Sequence, residues 1–156
     1  MNTVKLTAIA KTRIYSSPQK VFAAFANADE MSKFWFTRRD NGLREGETVT
    51  WFVGEQPGAP RIHVRVMTLI RPSLIVMEWG DAEGFTSVTW TIEETSPNTA
   101  ILRVEESGFT GTFQEIIDNA LDSTGGFNQV IIAAKAFLEH GAVINVVADH
   151  VDSAPS

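Results

Sequence analysis

The side chain with the clearest chemical potential in this sequence is Glu106. It follows Leu102 and Val104 at every second position, and alternate residues of a β-strand lie on the same face of a sheet. If the strand continues to Glu106, its carboxyl lies on the apolar face, where it is costly unless it is paired or protonated. Such a group could anchor or protonate a ligand. If the strand ends at Val104, Glu106 faces water, and both alternatives remain open.

Large apolar side chains recur at the same alternate spacing in neighbouring segments. The inward sets expected from this spacing are Val49, Trp51 and Val53; Ile75, Met77 and Trp79; and Val88, Trp90 and Ile92. They form either an ordinary core, because aromatic rings dominate cores, or the wall of a pocket for a hydrophobic or aromatic molecule. For the second alternative we predict these ligand-binding residues: Trp35, Trp51, Met77, Trp79, Trp90, Glu106, Phe127, Val130 and Ile131.

Other reactive residue types form no recognisable catalytic arrangement. The histidines His63, His140 and His150 are scattered without metal-ligand spacing, and strand alternation turns His63 outward. The absence of cysteine excludes disulfides and thiolate chemistry. Adjacent acidic residues such as Glu105 and Glu106 point to opposite faces of a strand and cannot act jointly. We therefore predict no catalytic residue, no metal and no cofactor, and an enzyme is the less favoured class.

Charge and hydropathy limit the partners that this chain is expected to bind. Its 156 residues include 13 Lys and Arg against 19 Asp and Glu, which gives a net charge of −6. This charge argues against nucleic acid or an anionic membrane, and the basic pair Arg38-Arg39 is typical of solvated surface. No apolar run is long enough to span a membrane, and residues 1–10 do not resemble a signal peptide. A cytoplasmic protein is the default expectation.

The elements that must position these side chains are mostly short strands. The pattern predicts a first strand over 6–15 and a helix capped by Ser17 with Pro18 in its first turn. Asn27 and Asp29 are expected to mark a break and a new cap, which open a short second helix ending near Trp35-Phe36. Further strands are predicted over 48–53, 61–70, 74–79, 85–94 and 100–106. Because tight turns separate them, these strands are expected to be antiparallel neighbours.

The C-terminal third is predicted to be helical. Thr112 and Glu115 form a capping-box pattern that opens a short helix, and Gly125-Gly126 is expected to interrupt it before a long helix over 125–141. Gly141 is expected to end that helix in a left-handed cap. The apolar face of the long helix comprises Phe127, Val130, Ile131, Ala134, Phe137 and Leu138.

The segment 142–148 is again apolar, with Val143, Val146 and Val147 at helical spacing. These side chains need cover from the rim of the sheet or from a second copy of the chain, which predicts a homodimer. We expect one domain over 1–151, followed by a disordered tail over 152–156. The predicted architecture is α+β: a curved antiparallel sheet of about seven strands around a long C-terminal helix, with two short helices closing one end.

The order of these elements resembles the START-like, birch-pollen-allergen-like superfamily, also called SRPBCC. Several patches are similar to its branch of heat-shock protein 90 ATPase activator homologues: IYSSPQKVFAAF at 14–25, Phe34-Trp35-Phe36, RPSLIVMEWG at 71–80, EESGF at 105–109 and GGFNQVIIAAKAFLEHG at 125–141. Phe127 stands where a tryptophan is more usual. The resemblance implies the helix-grip fold, but the superfamily contains lipid carriers, enzymes and chaperone activators.

Three functions therefore remain open. The first is binding of a small hydrophobic or aromatic molecule between the sheet and the C-terminal helix, and the predicted pocket residues favour it. The second, implied by the resemblance, is contact with a chaperone. The third is a cyclase- or hydrolase-type enzyme, which needs Glu106 or His63 in a pocket with an acidic or basic partner. An enclosed cavity with a polar anchor favours the first or third, and a filled core with a large exposed patch favours the second.

Overall fold

One antiparallel sheet and three helices make up the computed structural model, which describes residues 5–36, 41–54 and 56–150. The strands are β1 (Ala8–Ile14), β2 (Thr48–Phe52), β3 (Arg61–Ile70), β4 (Leu74–Asp81), β5 (Gly84–Ser96) and β6 (Thr99–Ser107). The helices are α1 (Pro18–Ala26), α2 (Ala28–Met31) and α3 (Phe113–His140). This arrangement confirms the predicted helix-grip fold, although the described residues form six strands rather than about seven.

The sheet order is β1-β6-β5-β4-β3-β2, and every pair is antiparallel. Strands β2 to β6 follow one another as neighbours, as the tight turns between them predict. The first strand closes the other edge by pairing with β6, which places Ala8 opposite Glu106 and Ile14 opposite Ala100. Strand β6 is therefore an inner strand, and Glu106 has a neighbouring strand on both sides.

Ser17 caps the first short helix as predicted, and Asn27, one of the two residues expected to mark the break and the new cap, caps the second. Ser17 Oγ accepts a hydrogen bond from the Lys20 N–H over 3.2 Å, and Asn27 Oδ1 accepts from the Asp29 N–H over 2.9 Å. Each cap satisfies a backbone donor that the first helical turn leaves without a partner. The predicted end of the second helix is wrong, because α2 ends at Met31. A turn follows, in which the N–H of Trp35 donates to the Met31 carbonyl oxygen over 2.9 Å.

The predicted break at Gly125-Gly126 is also wrong, because α3 is one continuous helix of 28 residues. Thr112 and Glu115 complete the reciprocal capping box at its start, and Gly141 ends it with φ 65°. Each internal glycine costs about 1 kcal/mol relative to alanine. Tertiary packing of the apolar face offsets that cost, since packing supplies most helical stability in proteins.

The inner face of the sheet and one face of α3 form the core. The largest fully buried side chains are Trp51, Trp90, Phe22, Ile14, Met31, Ile75, Met77, Leu102, Ile131, Val21, Val64 and Val66. Helix α3 crosses β1 and β6 and contacts α1. Two expectations need correction: Val53 lies beyond the end of β2 and is 47% exposed, and Phe137 and Leu138 are only partly buried at the edge of the core.

The segment after α3 is not helical, but it is not detached. Val146 and Val147 pack against the core, and Gln129 Nε2 lies 2.8 Å from His150 Nδ1. Val143 is exposed, so the fold itself covers two of the three valines in this segment. Arg38-Arg39 and the tail over 152–156 lie outside the described residues. In the described part of the chain, no helix is long and apolar enough to cross a membrane.

Candidate functional site

A small cleft opens between α3, the turn after α2 and the end of β4. Its volume is about 200 Å³. We call it the α3 cleft, and its lining residues are Trp35, Phe36, Trp79, Asp122, Ser123, Gly126, Phe127, Val130 and Val147. Aromatic rings and aliphatic side chains make up most of this lining, and Asp122 is its one charged member among the described residues.

The aromatic rings of the cleft continue into a larger aromatic cluster in the core. Trp79 stacks on Phe127 with ring centroids 5.6 Å apart and an interplanar angle of 15°. Trp35 meets Trp79 edge to face at 5.9 Å, and it meets Trp51 and Trp90 at 5.4 and 5.7 Å. These are favourable geometries for aromatic pairs. The rings therefore hold one another in place and give the cleft rigid walls.

The structure divides the predicted pocket residues into two groups. Trp35, Trp79, Phe127 and Val130 line the α3 cleft. Trp51, Met77, Trp90 and Ile131 are buried in the core beside the cleft and do not line it. Some of the predicted residues therefore belong to an ordinary core, and others border a cleft. Glu106, the ninth predicted residue, lies behind the cleft wall.

Glu106 lies on the inward face of β6 and is 4% exposed, so the alternative in which it faces water is wrong. Its Oε2 atom accepts a hydrogen bond from Trp79 Nε1 over 2.8 Å and a second one from the hydroxyl of Thr86. Its Oε1 atom is buried and has no hydrogen-bond partner among the described residues. The described partners of this carboxyl are thus neutral, and one of its oxygen atoms is unsatisfied.

Strand register explains how Glu106 meets its partners. Trp79 of β4 pairs with Thr86 of β5, and Val88 of β5 pairs with Glu106 of β6. Thr86 and Val88 are two residues apart and share a face, so Glu106 lies diagonally opposite Thr86, within reach of long side chains. The arrangement depends on three strands at once.

A second depression, of about 270 Å³, lies near the β4–β5 turn and shares Trp79 with the α3 cleft. Its lining residues are Ile62, Trp79, Gly80, Asp81, Gly84 and Thr86. Both hydrogen-bond donors to Glu106 therefore line this depression. The indole of Trp79 connects Glu106 to both concave surfaces.

Five cleft residues were missed by sequence reasoning: Phe36, Asp122, Ser123, Gly126 and Val147. Three of them lie on α3 with Phe127 and Val130, at positions that share one side of a continuous helix. The predicted break at Gly125 concealed this alignment, because it assigned these residues to two helices. The helical spacing itself was a usable signal.

The described side chains around the α3 cleft include no cluster of metal-ligand type. Within the described ranges, no group of three or more His, Asp or Glu side chains is placed to hold a metal ion. His63 is exposed on the outer face of β3, as strand alternation predicted. The geometry of the α3 cleft suits binding by shape, dispersion and ring electrostatics.

Comparisons with known proteins agree with the fold. The chain is similar to SSP2350 from Staphylococcus saprophyticus, with 24% identity, a TM-score of 0.73, and coverage of 90% of this chain and 96% of that one. It is also similar to the Aha1 dimer from Colwellia psychrerythraea, with 18% identity, a TM-score of 0.73, and coverage of 87% and 98%.

A third similar structure is PFC0360w, an HSP90 activator from Plasmodium falciparum, with 16% identity, a TM-score of 0.63, and coverage of 81% of this chain and 90% of that one. Among curated proteins, none matches the sequence significantly. The sequence matches the family "Activator of Hsp90 ATPase homolog 1-like protein" over residues 15–138 of 156. The chain therefore belongs to the Activator of Hsp90 ATPase homolog 1-like family, a branch of the SRPBCC superfamily.

Proposed function

We propose that the chain binds a small hydrophobic or aromatic molecule in the α3 cleft. The observation that carries the proposal is a concave surface walled by the rings of Trp35, Phe36, Trp79 and Phe127. Rings fixed by their neighbours lose little conformational freedom on binding, so a planar ligand gains dispersion contacts at low entropic cost. Asp122 and Ser123 supply polar groups that would orient a ligand in the cleft.

The size of the cleft limits the ligand class. Typical small-molecule pockets measure about 300–1,000 Å³, and the α3 cleft measures about 200 Å³. A ligand with one or two rings suits this volume, whereas a long acyl chain or a polycyclic sterol does not. The core that surrounds the cleft is filled by Trp51, Trp90 and Ile131, which leaves little room for expansion.

Two neighbouring glycines give a matched test. Gly126 lines the cleft and Gly125 is exposed, and a Cβ atom added at either position meets no other atom within 4 Å. Gly126→Leu should fill the cleft and abolish binding, whereas Gly125→Leu makes the same chemical change outside it. Both variants should fold, because leucine favours the helix more than glycine does.

Binding of phenethyl alcohol, a neutral one-ring probe, would be followed by calorimetry and by the tryptophan indole N–H resonances. Mass spectrometry of natively purified protein would identify any ligand carried from the cell. We expect binding by the wild type and by Gly125→Leu, and none by Gly126→Leu. Equal binding by the two variants would place the ligand elsewhere, and failure of every one-ring or two-ring aromatic probe, neutral or charged, to bind the wild type would refute the proposal.

Chaperone contact is a second candidate function, and family membership is the observation that favours it. The family is named for activators of the Hsp90 ATPase, and PFC0360w is named as an HSP90 activator. Stimulation of Hsp90 ATPase activity by the purified chain, unchanged in Gly126→Leu, would favour this function over ligand binding. The dimeric state of the Colwellia protein supports a proposal of self-association through exposed residues such as Val143, which sedimentation at micromolar concentration would test.

The enzyme alternative has less support. It needs Glu106 or His63 beside an acidic or basic partner in a pocket. His63 faces away from the core, and the described hydrogen bonds to Glu106 come from the neutral side chains of Trp79 and Thr86. We therefore do not propose a reaction.

A further inference from the structure

The buried carboxyl of Glu106 has no positively charged partner among the described residues. It is 4% exposed, it makes no ion pair in the described part of the chain, and its Oε1 atom has no hydrogen-bond partner there. A buried carboxylate is costly unless it is paired with a cation or fully hydrogen-bonded. Two neutral donors to Oε2 satisfy only part of this requirement. The Oε1 atom of Glu106 is thus an unsatisfied buried acceptor, and a cation bound nearby would interact favourably with it.

The α3 cleft has the matching electrostatic character. Its charged lining residue among those described is Asp122, and tryptophan and phenylalanine rings form much of its wall. Aromatic faces carry negative potential and attract cations, and tryptophan does so most strongly. The neighbouring depression repeats the pattern, since Asp81 is its charged residue. The whole chain adds a net charge of −6.

Trp79 connects the two features. Its indole N–H donates to Glu106 over 2.8 Å, while its ring lines the cleft. A hydrogen bond to a carboxyl oxygen polarises the donor group in a low-dielectric interior. The polarised indole carries more negative charge on its ring, which strengthens its attraction for a cation on the cleft side.

We infer that the ligand of the α3 cleft carries a positive charge on an aromatic or apolar body, as an arylalkyl ammonium ion does. This inference rests on the proposed function and adds the charge of the ligand to it. Trp79 and the other rings receive the apolar body and the ammonium group. Asp122 at the cleft surface supplies a negative charge, and the hydrogen bond from Trp79 to Glu106 polarises the ring that the ligand would contact.

Two probes of nearly the same shape test the sign of the charge. Phenethylammonium and phenethyl alcohol share the same aromatic body and differ in a cationic against a neutral polar group. Calorimetry at low ionic strength should show the cation bound about fivefold tighter or more, in keeping with the strength of partly desolvated cation–π contacts. The indole N–H resonance of Trp79, assigned with Trp79→Phe, should shift more with the cation.

Charge variants identify the source of the preference. Asp122→Asn and Glu106→Gln should each lower the affinity for phenethylammonium more than the affinity for phenethyl alcohol, and so reduce the preference for the cation. Asp118→Asn is the matched control: Asp118 is one turn away on α3, is exposed, bonds to Gln114 and does not line the cleft. It removes the same charge from the same helix and should leave the preference intact.

The results with the two probes distinguish failure of the inferred ligand charge from failure of the proposed ligand binding. Equal or tighter binding of phenethyl alcohol to the wild type would overturn the inference and leave the proposed function standing. Equal loss of preference in all three charge variants would also overturn it, because it would reflect net charge rather than the cleft. Failure of both probes and of every other one-ring or two-ring aromatic probe, neutral or charged, would overturn the proposed function, and the inference with it.

Discussion

Replacing the glycines of α3 with alanine tests whether this helix is continuous, which the local sequence pattern does not predict. Gly125 and Gly126 lie inside the helix, and a Cβ atom added at either position meets no atom within 4 Å. Alanine should therefore add helix propensity without strain. The expected gain is about 1 kcal/mol for each replacement, and about 2 kcal/mol for both, because adjacent helical residues do not face each other.

The assay is equilibrium unfolding in urea, with circular dichroism and tryptophan fluorescence as independent probes. For a chain of 156 residues, a gain of about 1 kcal/mol corresponds to a rise in Tm of about 2–4 °C. Thermal unfolding of the double variant should therefore show a Tm about 4–8 °C above that of the wild type. Coincident transitions for the two probes would justify the two-state treatment.

The same substitution at the end of the helix provides the control. Gly141 has φ 65°, and a Cβ atom there also meets nothing within 4 Å, so any effect comes from backbone conformation alone. Gly141→Ala should lower stability by about 1 kcal/mol, since a left-handed conformation is unfavourable for residues with a Cβ atom. Loss of stability in Gly125→Ala and Gly126→Ala would refute the reasoning and show a helix break at these glycines.

Two further predictions concern the face and the end of α3. Phe127→Ala should cost about 3–5 kcal/mol of unfolding free energy, because the ring of Phe127 is buried against Trp79 and Trp90. Phe137→Ala should cost less, because the ring of Phe137 is only partly buried. Equal losses of stability in urea unfolding would contradict this packing. Burial alone would raise the pKa of Glu139, but hydrogen bonds from Lys135 and the Tyr15 N–H, together with the charges of Lys135 and His140, hold it below its ordinary value of 4.5. The ionised carboxylate of Glu139 therefore stabilises the fold above the unfolded pKa, and this contribution is lost as pH falls through the folded pKa. The loss of stability in Glu139→Gln, relative to the wild type, should thus be largest near pH 7 and should shrink below pH 4.5. A loss that does not change with pH would show that the ionisation of Glu139 does not contribute.

Local signals in the sequence predicted the elements well. Alternation of apolar residues located the strands and their inward faces, and Ser17, Thr112 and Gly141 marked helix ends that the structure confirms. These signals succeed because a cap or a strand face depends on residues only a few positions apart. The errors in these elements lie at their ends: α2 ends at Met31 and β2 at Phe52, each short of the end that hydrophobic spacing predicts.

The continuity of α3 depended on more than local preference. A pair of glycines lowers helix propensity by about 2 kcal/mol in total, and propensity alone therefore favoured a break. Packing of Phe127, Val130 and Ile131 against the sheet outweighs that penalty and carries the helix through the glycines. Tertiary structure thus decided the helix, and with it the alignment of Asp122 and Gly126 in the cleft.

In the candidate site, too, some features follow from the local sequence and others only from the tertiary structure. By itself, the sequence predicted that Trp51, Trp79 and Trp90 lie on inward faces, because strand alternation depends only on neighbouring residues, and it left open whether Glu106 does too. It did not determine which of these side chains fill the core and which border a cleft. The α3 cleft joins Trp35, Trp79, Phe127 and Val147 from four separate parts of the chain, and the bond from Trp79 to Glu106 depends on the register of three strands. Only the tertiary structure decided these contacts, because register and helix placement follow from the packing of the whole chain rather than from any local pattern.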